Sequence, residues 1–339
     1  CLVGSEMCIR DRKQGGLKMG RAMTAGILTL ILILLPAVAG ILASYVLYRI
    51  IFCYPQKKRL APGKLPESRM YAPWTERLKE SCLLMDRMPF EKLTIRAEDD
   101  LTLQGRLYEG ETGKPLILFF HGYHGGYQWD GFGFFQLFRK EGYSLFVAEQ
   151  RSHGESSDRT ITFGIRERKD VRKWAEHLAE RFQEKTILLA GVSMGAATVM
   201  MAETEELPVN VKGIIADCGY TSPEDIIKKN IRELHFPMWP TYPLVRLGAR
   251  MYGHFNMKET SAIEGVETGK LPVLFIHGDK DSVVPYAMCE SLYGACRSRK
   301  KRLTVQGADH AVCSLAATND YVQAILSFAE GLINEETTG

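Results

Sequence analysis

The chain has 339 residues, 45% of them hydrophobic and 24% charged, which excludes a disordered or collagen-like polymer and allows one large domain or two small ones. The net charge of +3 is unevenly spread: Lys13 to Lys64 holds eight bases and no acid, whereas from Leu65 on 38 acidic residues face 33 basic ones. A mildly acidic body argues against nucleic acid as a partner, and the basic excess flanks an apolar run, as at a membrane.

Residues 1–12 read CLVGSEMCIRDR. This string resembles the one-frame translation of a transposon-tagmentation sequencing adapter. It is expected to lie outside the natural protein, whose start would be Met19, Met23 or a residue upstream. Cys1 and Cys8 then drop out, leaving six cysteines without framework or zinc-ligand spacing.

Ala25–Leu47 is a run of 23 residues with no charged side chain. As a helix it would be roughly 35 Å long, enough for a hydrocarbon core of about 30 Å. Residues 13–54 are therefore expected to form a single-pass membrane anchor, with Tyr45, Tyr48 and Tyr54 at the interface. The competing reading is a cleaved signal peptide, with Lys18 and Arg21 before the apolar run and Ala37-Val38-Ala39 as cleavage site. Continuation of the run to Phe52, broken only by Arg49, favours the anchor. Arg49, Lys57, Lys58, Arg59 and Lys64 outnumber the bases on the other side, which predicts that the large domain lies in the cytoplasm. Residues 55–88, punctuated by Pro55, Pro62, Pro66 and Pro73, read as a polar connector.

From residue 89 to 339 short apolar runs alternate with amphipathic stretches. Lys92–Arg96 and Leu101–Tyr108 read as an antiparallel pair. Leu116–Phe120, Ser144–Ala148, Thr186–Ala190, Val211–Ala216, Val273–Ile276 and Lys301–Val305 read as buried strands. Phe132–Glu141, Ile165–Phe182, Ala196–Glu203, Pro285–Cys296 and Asn319–Ile333 read as helices. The alternation predicts an α/β domain with a mostly parallel sheet, whose site lies at the carboxyl ends of the strands.

Three motifs fall at such ends. Gly191-Val192-Ser193-Met194-Gly195 follows a strand and opens a helix, the pattern of a nucleophile turn; a plain turn with a capping serine is the alternative. His121-Gly122-Tyr123-His124-Gly125-Gly126 follows Leu116–Phe120. Its glycines suit a turn that aims backbone N–H groups at a developing oxyanion, and the amides of Tyr123 and Met194 are the expected donors. A phosphate loop is the rival, without the Gly-Lys-Ser/Thr ending, and Glu149 stands near ribose spacing for a dinucleotide site. His121 is expected to be structural, and His124 to be an exposed loop residue or a substrate contact. The third motif is split between His277–Pro285 (HGDKDSVVP) and Gly307-Ala308-Asp309-His310. A serine hydroxyl needs a base, for which His310 fits, and the base needs a carboxylate, for which Asp281 is chosen over Asp279 and Asp217. Asp309 is expected to be structural. The chain order Ser193, Asp281, His310 matches one fold in particular.

With HGYHGG, EQRSHGES (Glu149–Ser156), GVSMG, and HGDKDSVVP followed by GADH, the chain resembles the α/β-hydrolase superfamily from about Glu91 to Ile333. The likeness is greatest to bacterial serine aminopeptidase-like and prolyl-oligopeptidase-like hydrolases, several of which carry an N-terminal membrane helix. The resemblance implies an eight-stranded sheet and hydrolysis through an acyl-enzyme, without cofactor or metal. It carries over Ser193, Asp281 and His310 as triad and Tyr123 and Met194 as oxyanion donors. Glu149-Gln150 departs from the pattern, since relatives often have Asp there. Residues 221–258, rich in aromatic and apolar groups, would form a small helical cap over the site or pack as ordinary core. The expected activity is hydrolysis of a carboxylic ester on a small or lipidic acyl substrate. A peptidase or amidase of the same fold and a non-enzymatic binding module are the alternatives.

Overall fold

The computed structural model describes residues 3–55, 65 and 69–338, and the side chains of these except 3–22, 25 and 334–338. Lys57, Lys58, Arg59 and Lys64, on which the orientation rests, lie outside the described residues, as do the side chains of the adapter-like segment. Helix α1 spans Val3–Ile51 and α2 Thr75–Arg87, followed by strands β1 (Glu91–Arg96), β2 (Thr102–Tyr108) and β3 (Leu116–Phe120). Next come α3 (Tyr127–Asp130), α4 (Phe132–Glu141), β4 (Ser144–Glu149), α5 (Glu167–Arg181), β5 (Ile187–Val192) and α6 (Met194–Met201). The chain continues through β6 (Val211–Asp217), α7 (Pro223–Glu233), α8 (Met238–Met251), α9 (Ala262–Thr268) and β7 (Val273–Gly278). It ends with α10 (Tyr286–Ala295), β8 (Lys300–Val305), α11 (Cys313–Ala316) and α12 (Thr318–Thr338).

Among the described residues eight strands form one sheet in the order β1-β2-β4-β3-β5-β6-β7-β8. β1, β2 and β4 pair antiparallel, and the pairs from β4 to β8 are parallel. The all-apolar LILFF of β3 follows from its central place: Leu116, Leu118 and Phe120 enter the core on one face, Ile117 and Phe119 the core on the other. Two buried layers therefore sandwich the sheet, and parallel crossovers bring the ends of β3, β5, β7 and β8 to one edge.

Two segments differ from their expected boundaries. Residues 55–88, read as a polar connector, hold α2, whose Leu78, Cys82 and Met85 are buried at i, i+4 and i+7, the helix lying against α3 and α4. The apolar helix, expected as a separate anchor up to residue 54, ends inside the α/β domain. Phe52 is fully buried against Phe163 and Phe255, and Tyr48 Oη lies 2.8 Å from Thr160 Oγ1. Burying a phenylalanine contributes about 2–3 kcal/mol, so this docking is substantial. Gly26–Ile51 is long and apolar enough to cross a membrane, and its outer part, from Gly26 to Ala39, is exposed. The 221–258 segment divides: Tyr242, Val245, Ala249 and Phe255 are core, while Phe236, Trp239 and Met251 are exposed.

Candidate active site

Ser193 stands between β5 and α6 with φ 55° and ψ −115°, a backbone conformation costly to any residue with a side chain. The neighbouring glycines make it possible. A Cβ on Gly195 would lie 2.0 Å from Phe120 O, and one on Gly191 2.2 Å from the Gly195 carbonyl carbon. The Ser193 amide donates to Asp217 O at 2.8 Å, tying the turn to β6. Its hydroxyl projects toward the loop after β8. There His310 Nε2 lies 2.8 Å from Ser193 Oγ, and His310 Nδ1 lies 2.8 Å from Asp281 Oδ2. Asp281 and His310 are buried and Ser193 is half-buried.

The carboxylate is fixed on every side. Asp281 Oδ1 accepts from the amides of Val283 (2.9 Å) and Val284 (2.7 Å). Its Oδ2 also lies 3.3 Å from His277 Nε2, a nitrogen 2.9 Å from Val284 O. Burial alone would raise the Asp281 pKa, yet hydrogen bonds from His277 and His310 hold it well below the usual carboxylate range. Asp309 pins the two loops together, its Oδ1 accepting from Ser282 N (2.8 Å), Ser282 Oγ (2.8 Å) and His310 N (2.7 Å). Asp279 Oδ1 accepts from Gly307 N at 2.6 Å, a turn contact. Asp217, the other rival, is buried behind the site, and burial raises its pKa to about 6. The structure thus brings Ser193, His310 and Asp281 together and assigns Asp217, Asp279 and Asp309 to other contacts.

The glycine-rich turn after β3 lies across from Ser193: a Cβ on Gly122 would sit 3.4 Å from Ser193 Cβ. Met194 is the first residue of α6, where an amide has no intrahelical acceptor. Among the described residues neither the Tyr123 nor the Met194 amide has an acceptor, which leaves both N–H groups for a ligand.

The supports of this turn were not legible in the sequence. Asp130 Oδ2 accepts from Gly122 N at 2.8 Å, and Tyr71 Oη donates to Asp130 Oδ1 at 3.2 Å. Burial raises the Asp130 pKa to about 6. Gly125 is required because a Cβ there would meet Asp130 Oδ2 at 2.2 Å. The loop after β4 completes the frame. Gln150 N donates to His121 Nε2 at 3.2 Å while the Gln150 amide donates to His121 O, and His124 N donates to His153 Nε2 at 3.1 Å. His121 Nδ1 lies 2.8 Å from Gly122 O, and burial lowers its pKa to about 4, so it is a neutral structural imidazole. His124, expected on an exposed loop or against substrate, is half-buried between the rings of Tyr54 and Tyr123, each 3.9 Å from it. Glu149, weighed as a ribose ligand, instead accepts from Glu155 N at 2.6 Å.

Cys218 places its sulfur near Asp281 and His310, one ligand atom from each lying within 4.8 Å of the others. The carboxylate and imidazole are already bonded to each other, and burial holds the thiol pKa well above its ordinary value. These donors therefore fit a hydrogen-bonded network better than an ion.

A model of the prolyl oligopeptidase family matches residues 134–336, which include Ser193, Asp281 and His310. The chain belongs to the prolyl oligopeptidase family. This prolyl oligopeptidase-family chain has the α/β-hydrolase fold. It is similar to the esterase Pf2001 of Pyrococcus furiosus, with a TM-score of 0.61 and 18% identity over 83% of this chain and 98% of that one. It is 25% identical to the uncharacterized protein YqkD of Bacillus subtilis over 60% of this chain and 67% of that protein. It is 24% identical to an uncharacterized membrane protein of Saccharomyces cerevisiae over 64% of this chain and 71% of that protein.

Proposed function

We propose that this family member is a membrane-anchored serine hydrolase that cleaves a carboxylic ester through an acyl-enzyme on Ser193. The observation that carries the reading is the His310 imidazole bridging Ser193 Oγ and Asp281 Oδ2 at 2.8 Å on each side. In this mechanism His310 takes the Ser193 proton as the oxygen attacks the acyl carbon, and Asp281 stabilises the resulting imidazolium. The amides of Tyr123 and Met194 receive the oxyanion, a contribution of about 3–4 kcal/mol per donor in comparable sites. His310 then gives its proton to the leaving alkoxide, takes one from the water that attacks the acyl carbon, and returns it to Ser193 Oγ as the acid leaves. The reaction needs no cofactor or metal.

The partners proposed are a small-molecule acyl substrate and the lipid bilayer, reached through Gly26–Ile51, with the catalytic domain in the cytoplasm and no nucleic acid bound. The domain limits proposed are an anchor through residue 54 and a hydrolase unit from residue 89, with α2 added to that unit as a brace. The family supports a second reading, peptide or amide hydrolysis on the same groups. Matched acyl p-nitrophenyl ester and p-nitroanilide substrates separate the two. The ester reading predicts turnover of the ester at least about a hundredfold above the anilide, abolished in Ser193→Ala. Comparable rates would favour the peptidase, and turnover unchanged in Ser193→Ala would refute both.

A further inference from the structure

The stretch between β6 and β7 carries an apolar surface that the Ser193 machinery does not use. Leu234, Phe236, Trp239, Leu247 and Met251 are all exposed, Trp239 at 79%. So many large apolar side chains on one short insertion mark a surface that meets something. Helix α8, in this insertion, lies against α1 with the two running parallel. Gly40 meets Leu244, Ser44 O would lie 2.5 Å from a Cβ on Gly248, and Tyr252 Oη donates to Ile41 O at 3.4 Å. The Tyr45 and Tyr48 rings lie 5.0 and 5.7 Å from that of Tyr252. Leu244, Gly248 and Tyr252 thus form one stripe, while Val245 and Ala249 face the core. Leu247 and Met251 fall beside α1 on the side away from the core. The parallel register carries the regular part of α8, from Pro240 on, toward the exposed apolar part of α1; Phe236 and Trp239 lie just before it, across a break in the helix at Trp239 (φ −106°, ψ 128°).

The length of α1 sets the depth. Ala22, the residue after Arg21, through Ala39 makes eighteen residues before the contact with α8 begins. At about 1.5 Å each they reach roughly 27 Å, less with any tilt, against a hydrocarbon core of about 30 Å. No charge follows until Arg49, so the bilayer extends onto the turns of α1 already packed on α8. At that level Arg246, Arg250 and His254 line a surface pocket of about 720 Å³, a setting suited to phosphate headgroups. Glu259 also lines it but is paired with Arg168 at 3.0 Å.

We propose that the face formed by Leu234, Phe236, Trp239, Leu247 and Met251 is seated in the bilayer interface and that the Ser193 site draws its substrate, an acyl ester lipid, from the membrane. The second half rests on the serine-hydrolase reading; the first does not. Helix α1 and the insertion that carries this face each touch a loop of the site. Tyr123 Oη donates to Ile51 O at the end of α1, and Lys229 Nζ on α7 donates to Ser282 O beside Asp281, at 2.8 and 2.9 Å.

The test uses the full chain in phosphatidylcholine vesicles. The difference in fluorescence between wild type and Trp239→Phe isolates Trp239, and a lipid with a nitroxide high on its acyl chain reports its depth. The proposal predicts that this component loses about half its intensity or more to the nitroxide lipid and is poorly reached by iodide, in Ser193→Ala as in wild type. A component quenched by iodide and untouched by the nitroxide lipid overturns it. For the substrate, the rate on monooleoylglycerol in those vesicles is divided by the rate on p-nitrophenyl acetate. The Phe236→Asp/Trp239→Asp chain is expected to show a ratio about tenfold lower. An unchanged ratio overturns the membrane source. Nitroxide quenching in a wild type that hydrolyses neither compound supports the seating and counts against the hydrolase reading alone.

Discussion

Tyr123 donates its phenolic hydrogen to the carbonyl oxygen of Ile51 at 2.8 Å, joining the glycine-rich turn opposite Ser193 to the last residue of the apolar helix. The Tyr123 ring also stacks on Phe163, at 5.1 Å, which in turn packs on Phe52. The turn and the apolar helix are thus one packed unit. Tyr123→Phe is expected to keep the ring contacts and lose one net hydrogen bond, about 1 kcal/mol. Activity on p-nitrophenyl acetate should fall by about threefold to tenfold, chiefly in kcat, with the membrane association of the chain unchanged. An unaltered kcat would mean that the turn is held without this tie.

Asp130 is the buried brace of the same turn. Asp130→Ala leaves Gly122 N without its acceptor and a void beside Gly125, so the Tyr123 amide loses its fixed direction. A fall in kcat/KM of about tenfold to a hundredfold is expected, in line with partial loss of an oxyanion donor. Labelling of Ser193 by a fluorophosphonate should slow in proportion. Full activity in a folded Asp130→Ala chain would separate the turn from catalysis.

Asp281 and Asp217 offer a contrast. Asp281→Asn removes the carboxylate that fixes the His310 tautomer, and kcat is expected to fall by about 10³–10⁴. Asp217→Asn, altering a group behind the site, should retain activity within about tenfold. The reverse ranking would make Asp217 the acid of the triad.

The pH dependence of stability follows from the same carboxylate. The Asp281 pKa is lower in the folded chain than the ordinary value, held there by His277 and His310 against the effect of burial. Its contribution is therefore complete above the unfolded value, near pH 4, and is lost as pH falls through the folded value. The gap in urea midpoint between wild type and Asp281→Asn should be widest at pH 5 and above and shrink steadily below about pH 4. A gap constant down to pH 2 would show that the folded carboxyl is not stabilised.

Arg151 is fully buried, and its guanidinium donates to both oxygens of Asp170 (2.7 and 2.6 Å) and to Asp99 (2.9 Å). Arg151→Met leaves the Asp170 carboxylate buried and unpaired, a loss of about 3–5 kcal/mol measurable by chemical denaturation. Since this pair also anchors the loop that carries Gln150 and His153, activity near the unfolding midpoint should fail first. A loss below about 1 kcal/mol would mean that water or a rearranged loop replaces the arginine.

The sheet was legible because parallel central strands are buried on both faces and read as unbroken apolar runs; LILFF and the ends of β3 coincide with the expected strand. The candidate site was legible where the chemistry needs particular residue types at strand ends, as in GVSMG and HGDKDSVVP. Helix α2 was hidden because Leu78, Cys82 and Met85 make a narrow stripe in a charged segment beside four prolines. Asp130, Tyr71 and His153 were hidden for another reason. Each acts by hydrogen-bonding a backbone or carboxylate brought close by the fold, and no spacing along the chain records that proximity. The docking of α1 was equally invisible, since Tyr48 and Phe52 look alike whether they face lipid or Thr160 and Phe163.

Activation of Ser193 by His310 is tested most directly by covalent labelling with a fluorophosphonate probe in membrane fractions, with the labelled peptide mapped by mass spectrometry. One adduct per chain is expected, on Ser193, absent in Ser193→Ala and slowed about a hundredfold or more in His310→Ala. No adduct in folded wild type, or an adduct that persists in Ser193→Ala, would contradict it.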